Sequence, residues 1–443
     1  MPTRRIHDLI ESTLAALPAG PLLVAFSGGL DSTVLLHVLA QSQTARSRGL
    51  RAVHVDHGLH GDSTSWSRHC AETAESLGVD LVMRTVDVDR APGLGLEASA
   101  RRARYGAIEA LLAPCEIVAL AHHRGDQAET VLLKLLRGAG PEGLGAMRTL
   151  RPFGCGFAWR PLLTMPRAAL REYADVHRLA WINDPSNADP TIDRNYLRLQ
   201  VLPVMLRRWP EAEASMAQSA IWARDAADFI DAEAERALAR VQGLDPATLR
   251  HSAWMTLPNA LRDPVLRRWL RSLGLPEPTH YQVAELVRQL AEAGEDRQPC
   301  VRWPGIELRR YRDLLYALAP LQLPAADWNA AFDGDAVDLP GGLGRLRLVD
   351  DGGRPVRLDA PLSIRFRRGG ESLRLATGGP THELRDLLQE AGIPPWQRGR
   401  LPLLLDRGER VLAVGDLWLS DAGAARFAEI GARLEWTRAR PAC

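Results

Sequence analysis

The stretch Ser27-Gly28-Gly29-Leu30-Asp31-Ser32 lies between an apolar run at 22–26 and a helix-like run at 32–40. In that position a loop of small residues turns backbone N–H groups and a helix N-terminus toward a phosphate. The two glycines permit close backbone approach, and the serine hydroxyls add hydrogen-bond donors. Asp31 is a suitable ligand for Mg²⁺ but would repel bare phosphate. The loop therefore predicts a site for a nucleoside triphosphate together with its metal ion.

Taken alone, these six residues have a second interpretation. A flexible turn explains Gly28 and Gly29, and a helix N-cap explains Asp31 or Ser32. A Walker A loop is excluded, because no Gly-Lys-Ser/Thr follows. The stretch resembles instead the PP-loop of the N-type ATP pyrophosphatases. That resemblance implies cleavage of ATP to AMP and pyrophosphate, with the adenylate activating a carbonyl or amide oxygen.

Length and composition describe a soluble globular protein. The chain has 443 residues, of which 46% are hydrophobic and 25% charged, so two or three domains are expected. No apolar stretch reaches membrane-spanning length, and the first residues do not run into a signal-peptide core. We therefore expect a cytoplasmic protein with no membrane partner.

The cysteines and the net charge exclude several classes of protein. The five cysteines are far apart and form no CxxC pair, which argues against a disulfide framework, an iron–sulfur cluster and a structural zinc. Their spacing also disfavours the tRNA-thiolating relatives of the PP-loop enzymes, which rely on paired thiols. The net charge of +1 does not by itself indicate a nucleic-acid binder. Lys134 is the only lysine, and arginine offers bidentate phosphate contacts wherever it clusters.

Between residue 22 and about residue 138, short apolar runs alternate with helical stretches. The predicted strands are 22–26, 51–55, 81–86 and 116–121, and the predicted helices between them are 32–40, 63–77 and 97–112. This βαβ alternation predicts an α/β fold with a doubly wound, Rossmann-like parallel sheet. Ligands bind outside the carboxyl ends of such strands. Ser27, His57 and His122 follow three of these ends.

The composition changes after Pro210. Residues 211–242 contain no glycine or proline and predict one long helix or two continuous ones. Further helices are predicted near 264–273 and 280–291. A β-like stretch at 301–318, interrupted by Pro304-Gly305, closes this middle region.

Residues 319–335 are rich in alanine, proline and aspartate and predict a linker. Beyond them, strands at 346–349, 362–366 and 411–418 with a helix at 381–391 predict a small α+β domain. We therefore predict three domains, namely a catalytic ATP-binding domain at 1–210, a mainly helical domain at 211–325 and a C-terminal domain at 335–443.

A second motif follows the fourth predicted strand. His122-His123 lead into Asp126, Glu129 and Thr130, which lie at i, i+3 and i+4 on one side of a predicted helix. Acids in a first helical turn often only complement the helix dipole. With the loop of Ser27 at the same edge of the sheet, the motif favours a metal ligand or a general base.

Two pairs of arginines accompany these motifs. Arg101 and Arg104 stand next to Tyr105, behind a glycine-rich stretch at 93–95, and can reach one ligand together. Arg194 and Arg198 are four residues apart and can face one anion. The stretch that precedes them, at 183–190, has the composition of a turn with N-caps.

In their order and spacing, these segments resemble the tRNA(Ile)-lysidine synthetase family within the PP-loop superfamily. The resemblance rests on the PP-loop, on 54–59, 100–105, 122–130 and 184–198, and on the segment GIPPWQRGRLP at 392–402. Together the segments cover nearly the whole chain. Any one of them is a weak signal, whereas the ordered set is specific.

The resemblance implies a reaction and its partners. ATP adenylates the C2 oxygen of the wobble cytidine in the CAU anticodon of tRNA(Ile), and pyrophosphate leaves. The ε-amine of free L-lysine then displaces AMP to form lysidine, so the anticodon reads AUA instead of AUG. ATP and Mg²⁺ are implied as cofactors, with tRNA(Ile) and lysine as partners. A homodimer is an alternative that the sequence leaves open.

The resemblance also implies roles for individual residues. Nucleotide binding falls to Ser27, Gly28, Gly29, Leu30, Asp31, Ser32, His54, His57 and His122. Metal binding falls to Asp31, Asp126 and Glu129. Asp126 would attract and deprotonate the lysine ammonium. Arg101, Arg104, Arg194 and Arg198 would stabilise the α-phosphate or the base oxygen.

The C-terminal region carries a basic patch. Between Arg354 and Arg410 there are eleven arginines against seven acids. The residues expected to bind tRNA are Arg365, Arg367, Arg368, Arg398 and Arg400. Paired RNA stems are read mainly by shape and backbone, which suits such a patch. A basic strand edge that deters aggregation is the alternative.

Two other classes of function remain open at this point. A small-molecule PP-loop ligase would need the ATP site but no RNA surface, and the long extension after Pro210 argues against it. A non-catalytic RNA-binding module would not need the acids at the sheet edge. ATP–pyrophosphate exchange with and without tRNA separates the classes, because only the RNA enzyme should require tRNA.

Overall fold

The computed structural model of the protein describes residues 2–58, 62–88, 96–293, 298–320 and 323–438. The chain divides into two compact units, Met1–Asp231 and Ala232–Cys443. Each unit has hydrophobic clusters of its own. The three predicted domain boundaries stay predictions.

The first unit is built of short strands alternating with helices. Its strands are β1 (Leu22–Ala25), β2 (Leu50–Asp56), β3 (Asp80–Thr85), β4 (Ile117–Ala119), β5 (Leu150–Phe153) and β6 (Gly156–Trp159). Its helices are α1 (Pro2–Ala15), α2 (Leu30–Gln41), α3 (Gln43–Ser47), α4 (Ser63–Ser76), α5 (Leu96–Glu109), α6 (Arg124–Leu136), α7 (Pro141–Leu144), α8 (Arg167–Val176), α9 (Asp193–Tyr196) and α10 (Leu202–Arg208), followed by the first part of α11 (Ala212–Val241). A 3-10 turn at Pro185–Ala188 and a π-helical turn at Leu197–Val201 flank α9.

The strands of the first unit form one sheet in the order β3-β2-β1-β4-β6-β5. Neighbouring strands are parallel except in the β5–β6 hairpin. The predicted doubly wound parallel sheet and its first four strands are confirmed, whereas the hairpin is an addition that the sequence analysis does not predict. The chain order reverses between β1 and β4, and α/β folds bind their ligands at such a switch point.

Strand β1 is apolar throughout because both faces of the sheet are covered. Leu22 and Val24 pack into the cluster that contains α1, α2 and α8, whereas Leu23 packs into the cluster on the other face. Successive side chains of a strand point to opposite faces, so a strand buried on both sides has no polar position. Full burial of a leucine such as Leu23 contributes about 1.5–3 kcal/mol to folding.

The second unit begins with a mixed region that follows α11. Its elements are β7 (Thr248–Arg250), α12 (His251–Met255), α13 (Asn259–Ser272), α14 (His280–Glu292), β8 (Cys300–Trp303), β9 (Ile306–Tyr311) and β10 (Leu314–Leu318). The strands pair antiparallel in the order β7-β10-β9-β8. The predicted long helix and the predicted β-like stretch at 301–318 are confirmed. Trp254 and Trp269 are fully buried where the helices cover the sheet.

The C-terminal part of the second unit is rich in strands. They are β11 (Asn329–Phe332), β12 (Val337–Leu339), β13 (Gly344–Val349), β14 (Leu362–Phe366), β15 (Ser372–Arg374), β16 (Thr381–Glu383), β17 (Pro402–Leu405), β18 (Val411–Val414), β19 (Trp418–Leu419) and β20 (Arg433–Thr437). The helices are α15 (Leu384–Glu390), α16 (Pro395–Arg398) and α17 (Asp421–Glu429). Three sheets run β11-β14-β17-β18-β19, β12-β13-β20 and β15-β16.

Three details of the C-terminal prediction are wrong. The predicted linker at 319–335 contains β11, which pairs with β14. The predicted helix at 381–391 begins as β16 and becomes helical only at Leu384. The predicted strand at 411–418 ends at Val414, because the chain turns there before β19 pairs back onto β18.

Candidate active site

A cleft of about 330 Å³ lies at the carboxyl ends of the central strands of the first unit. The loops after β1, β2 and β4 line it with Ser27, His57 and His122, and the first turns of α2 and α6 line it with Asp31 and Asp126. Ile182, Asp184 and Asn187 close another side. The position is the switch point of the sheet, where the sequence analysis expects a ligand.

The loop from Ser27 to Gly29 brings bare backbone to the cleft. Gly28 has φ of +79°, and a Cβ there would lie 2.6 Å from Ile182 Cδ1 and 2.8 Å from Cys70 Sγ. Only glycine therefore fits without displacing both neighbours. Gly29 is the N-cap of α2, so the positive end of the helix dipole faces the cleft.

The hydroxyls of the loop form a short network. Ser27 Oγ and Ser32 Oγ are 3.1 Å apart, and Ser32 Oγ also donates to the Gly29 carbonyl. Leu30, predicted to bind nucleotide, has its side chain in the hydrophobic core. Its contribution to a ligand is restricted to the backbone at the start of α2.

Asp31 lies in the first turn of α2, next to the cleft. Its Oδ2 is 3.8 Å from His123 Nε2, and its Oδ1 is 3.7 Å from Arg167 Nε. Oδ1 is buried and makes no hydrogen bond within the described part of the chain. Burial raises the pKa of Asp31, and His123 and Arg167 only partly offset that effect. An orphaned buried carboxylate oxygen beside a phosphate-type loop suits a cation.

Helix α6 begins with a capping box built by a histidine. His123 Nδ1 accepts from the Gly125 N–H at 3.0 Å, and the His123 N–H donates to Asp126 Oδ2 at 3.0 Å. Because Nδ1 accepts, the His123 proton is on Nε2. That atom lies between Asp31 and Asp126, at 3.6 Å from Asp126 Oδ2. The two acids predicted to bind metal are therefore brought together around one histidine.

Behind Asp126, two arginines and a glutamate form a buried ion cluster. Glu129, whose side chain is 1% exposed, accepts from Arg194 Nε at 2.5 Å and from Arg198 Nε at 2.6 Å. Both guanidinium groups also reach Asp126 Oδ1, at 3.2 and 3.1 Å. The i, i+4 pair predicted to face one anion therefore faces two carboxylates. Both Glu129 oxygens are engaged, so this arrangement favours a positioning role over metal binding.

The charged and hydrogen-bonding groups around Asp126 keep it ionised. Burial alone would raise its pKa, but His123, Arg194, His122 and the His123 N–H together lower the pKa to about 2. Asp126 is therefore a carboxylate at neutral pH. It is an attractive group for a cation and a weak base.

The histidines of the cleft are buried or half-buried and make few hydrogen bonds. His54 Nδ1 donates to the Phe26 carbonyl at 3.0 Å, and burial lowers its pKa. His57 Nδ1 is buried and has no hydrogen bond among the described residues. Burial lowers the pKa of His122 to about 3.

Arg101 and Arg104 lie on α5 beside one aromatic ring. Their guanidinium carbons are 5.0 and 5.9 Å from the centre of the Tyr105 ring, and Arg101 donates to its hydroxyl. Arg104 and Tyr105 line the cleft. The glycine-rich stretch at 93–95 and the end of the 54–59 segment lie outside the described residues.

The arginines predicted to bind tRNA lie in the second unit. Arg365 Nη1 and Arg367 Nε lie 2.8 and 3.6 Å from Glu371, whereas Arg368 is exposed. Arg398 donates to the Ile393 carbonyl and the Tyr311 hydroxyl, and burial lowers the pKa of the half-buried Arg400. Within this set, Arg368 presents its guanidinium most openly.

Comparison with known proteins extends along the chain. Residues 2–205 match the PP-loop domain model, 249–316 the TilS substrate binding domain and 362–436 the TilS substrate C-terminal domain. The chain is 44% identical to a tRNA(Ile)-lysidine synthase of Xanthomonas axonopodis pv. citri, with 97% of each chain covered. It is 45% identical to that of Xylella fastidiosa over 91% of this chain and 92% of the relative, and 43% identical to that of Alkalilimnicola ehrlichii over 95% of each.

The chain belongs to the tRNA(Ile)-lysidine synthase family. The resemblance drawn from the motifs is confirmed, and so are the PP-loop ATP-binding fold and the prediction of an enzyme of this ligase family. The described residues contain no helix long and apolar enough to cross a membrane. They also contain no group of three or more His, Cys, Asp or Glu side chains arranged to hold a metal ion.

Several residues of the cleft in this member of the lysidine synthase family could not be assigned a role from the sequence. His123 has a capping role that its residue type does not suggest, since Ser, Thr, Asp and Asn are the usual N-caps. Trp66 lines the cleft from a segment without a motif, whereas Asp56 and Asn187 line it from the 54–59 and 184–198 segments but had no predicted role. Arg160 lies under His122 and carries no local signal at all.

Proposed function

We propose that this protein ligates free L-lysine to C2 of the wobble cytidine in the CAU anticodon of tRNA(Ile), through an adenylated cytidine, with release of pyrophosphate and AMP. The observation that carries the proposal is one cleft shared by the glycine loop after β1 and the carboxylate of Asp126. The first is suited to a triphosphate and the second to an ammonium ion. Membership of the tRNA(Ile)-lysidine synthase family supports tRNA(Ile) and lysine as the proposed substrates.

The loop and the start of α2 are suited to the phosphates of ATP. Backbone groups at Gly28 and Gly29, with the hydroxyls of Ser27 and Ser32, offer donors without a bulky side chain. His54, His57 and His122 border the same space. Mg²⁺, when bound, would neutralise charge on the leaving pyrophosphate, and Asp31 has a buried oxygen without a hydrogen bond that could hold it.

Asp126 is suited to receiving lysine. An ammonium ion is attracted by a carboxylate that stays ionised at neutral pH, as a pKa of about 2 ensures. The same low pKa makes transfer of the lysine proton to Asp126 unfavourable. We therefore propose that Asp126 recruits and orients the amine. This role is narrower than the predicted one, in which Asp126 also deprotonates the ammonium.

The two pairs of arginines have different partners. Arg194 and Arg198 are already paired with Asp126 and Glu129, so they hold the carboxylates in place and add positive charge beside the reacting centre. Arg101 and Arg104 are on the Tyr105 side, where they can meet the α-phosphate or the base oxygen. Positive charge fixed before the reaction stabilises charge that develops in the transition state.

The second unit is proposed to bind the tRNA away from the anticodon. Arg365, Arg367, Arg368, Arg398 and Arg400 are the predicted contacts, and phosphate contacts of this kind orient an RNA without reading its bases. The cytoplasmic location and the homodimer stay predictions.

The test is incorporation of radiolabelled lysine into a CAU-anticodon tRNA(Ile) transcript, with ATP and Mg²⁺. A transcript with the wobble cytidine replaced by uridine is the matched control, and we expect no label in it. ATP–pyrophosphate exchange should require the cytidine-bearing tRNA. Exchange that proceeds without tRNA would contradict adenylation of the RNA and favour a metabolite ligase.

A further inference from the structure

Arg160 is a buried arginine that the reaction scheme above does not use. It follows the last residue of β6 and is 4% exposed. Its Nε donates to His122 Nδ1 at 3.3 Å, and its Nη1 donates to the Arg148 carbonyl at 3.0 Å. The Tyr105 hydroxyl lies near it. The residue thus connects the end of the β5–β6 hairpin to the histidine at the end of β4.

The surroundings of Arg160 make its burial costly. No carboxylate pairs with it within the part of the chain that the structure describes, and Arg101 and Arg151 lie near it. A buried charge is expensive unless it is paired, and a guanidinium does not lose its proton to escape that cost. Such a group at the edge of a ligand cleft is a candidate for a functional role.

The contact with His122 determines which ring nitrogen carries the proton. A guanidinium can only donate, so the Nδ1 that receives its N–H must be unprotonated. The neutral ring then carries its proton on Nε2. His122 lines the cleft, and no described residue bonds its Nε2. The proton is therefore available to a ligand in the cleft.

We propose that Arg160 is a positioning residue that holds His122 as the Nε2–H tautomer, so that His122 donates a hydrogen bond to a phosphate oxygen of bound ATP. The inference rests on the proposed function for the identity of the acceptor. The tautomer itself does not depend on it. Arg160 is not among the residues that line the cleft, which distinguishes an indirect role from direct phosphate binding.

The first experiment reads the tautomer directly in the full-length wild-type protein without substrates. Long-range ¹H–¹⁵N correlation spectra of protein labelled with ¹⁵N-histidine distinguish a protonated Nε2 from a protonated Nδ1, and a His122→Ala variant assigns the signals. We expect a single Nε2–H form. A protonated Nδ1, or a mixture of the two tautomers, would overturn the proposal even if Arg160 variants failed to fold.

The second experiment asks whether Arg160 acts through His122. We expect Arg160→Gln to lower kcat/KM for ATP by about 10- to 100-fold, the size of the effect when a metal-binding histidine loses the partner that orients it. In a His122→Ala background the same change should cost less than about twofold, because effects transmitted through one residue do not add. Equal effects in both backgrounds would show a merely structural role and reject the proposal.

Arg48→Gln provides the matched control. Arg48 is a half-buried arginine of the same unit that donates to the Gly20 and Leu14 carbonyls. It is expected to lower the melting temperature and to leave the His122 signals unchanged. If the wild-type protein makes no lysidine, the effect of Arg160→Gln in the wild-type and His122→Ala backgrounds is measured instead on the dissociation constant for ATP, by calorimetry. Failure of the proposed function is then separated from failure of the tautomer.

Discussion

Two clusters of arginines, one in each unit, are each built around a buried glutamate, but the surroundings of the two glutamates differ. In the first unit Glu129 holds Arg194 and Arg198, and in the second unit Glu371 holds Arg365 with Arg367 nearby. Both glutamates are almost fully buried, at 1% and 3% exposure. In each case a carboxylate out of water is stabilised by guanidinium groups.

The difference lies in what else each cluster contacts. Around Glu129 the arginines reach a second carboxylate, Asp126, which faces the cleft. Around Glu371 the remaining bonds come from the backbone N–H groups of Arg368 and Gly369, in a loop where Gly369 and Gly370 have positive φ. The first cluster therefore orients a carboxylate that faces the cleft, and the second stabilises the conformation of a loop.

The largest effect is expected from Asp126→Asn. The amide cannot attract the lysine ammonium, and the two arginines keep only Glu129 as an anionic partner. We expect lysidine formation to fall by about 10²- to 10³-fold, within the range of about 2–5 kcal/mol for losing one partner of a buried charge pair, measured as radiolabelled lysine transferred to tRNA. Asp175→Asn, an exposed aspartate that pairs with Arg171, is the control and should keep activity. Full activity of the Asp126 variant would remove this residue from the reaction.

Glu129→Gln tests whether the buried glutamate positions arginines or binds metal. Removal of its charge leaves two guanidinium groups undercompensated, and we expect a loss of about 3 kcal/mol in the free energy of unfolding, measured by urea denaturation. The exposed Glu172→Gln is the control. If Glu129 positions the arginines, raising the Mg²⁺ concentration should not restore activity. Recovery of activity by Mg²⁺ would instead support the predicted metal role.

The sheet of the first unit could be predicted because its strands are buried on both faces. Strands such as β1 and β4 are uninterrupted apolar runs, and glycine-rich or histidine-rich loops follow them. The β5–β6 hairpin could not be found in this way. Its first strand contains Pro152, and the need for glycine at 156 comes from the Glu116 carbonyl, which would lie 2.0 Å from a Cβ there.

The site could be predicted where the residues that lie together in space also lie together in the sequence. Asp126 and Glu129 share one helix turn, and the PP-loop is a continuous segment. The pairing of Arg194 with Glu129 joins residues 65 positions apart, and that of Arg160 with His122 joins residues 38 apart. In a chain whose basic residues are almost all arginines, residue type alone does not single out the buried ones. Their burial and partners come from tertiary packing.

Glu371→Gln tests whether the glutamate of the second cluster serves only to stabilise its loop. We expect a loss of about 1.5–3 kcal/mol in the free energy of unfolding, the usual contribution of a hydrogen bond to a charged group, and faster hydrogen exchange of the backbone near Arg368 and Gly369. Catalysis with saturating tRNA should stay unchanged, because the loop does not belong to the cleft. A large fall in kcat would contradict the structural role given to Glu371.

Acid pH should reproduce part of this effect. Burial alone would raise the pKa of Glu371, but the bonds from Arg365 and the Arg368 and Gly369 N–H groups lower it. A carboxyl whose pKa is lowered in the folded state stabilises the protein above the unfolded value of about 4.3. That stability is lost as the pH falls through the lower folded value. Between pH 5 and acid unfolding, the Glu371→Gln variant should therefore lose less stability than the wild type.

The smallest effect is expected from Arg368→Ala, which removes the exposed guanidinium next to the Glu371 cluster. An exposed contact of one arginine with a phosphate contributes about 0.5–1 kcal/mol, so tRNA affinity should fall about two- to fivefold. The slope of log affinity against log salt should decrease by about 1, because one fewer counterion is released. Arg433→Ala, an exposed arginine on β20, is the control. Equal salt slopes for both variants would show that the tRNA does not reach the loop, and the arginines around Glu371 would then serve the fold alone.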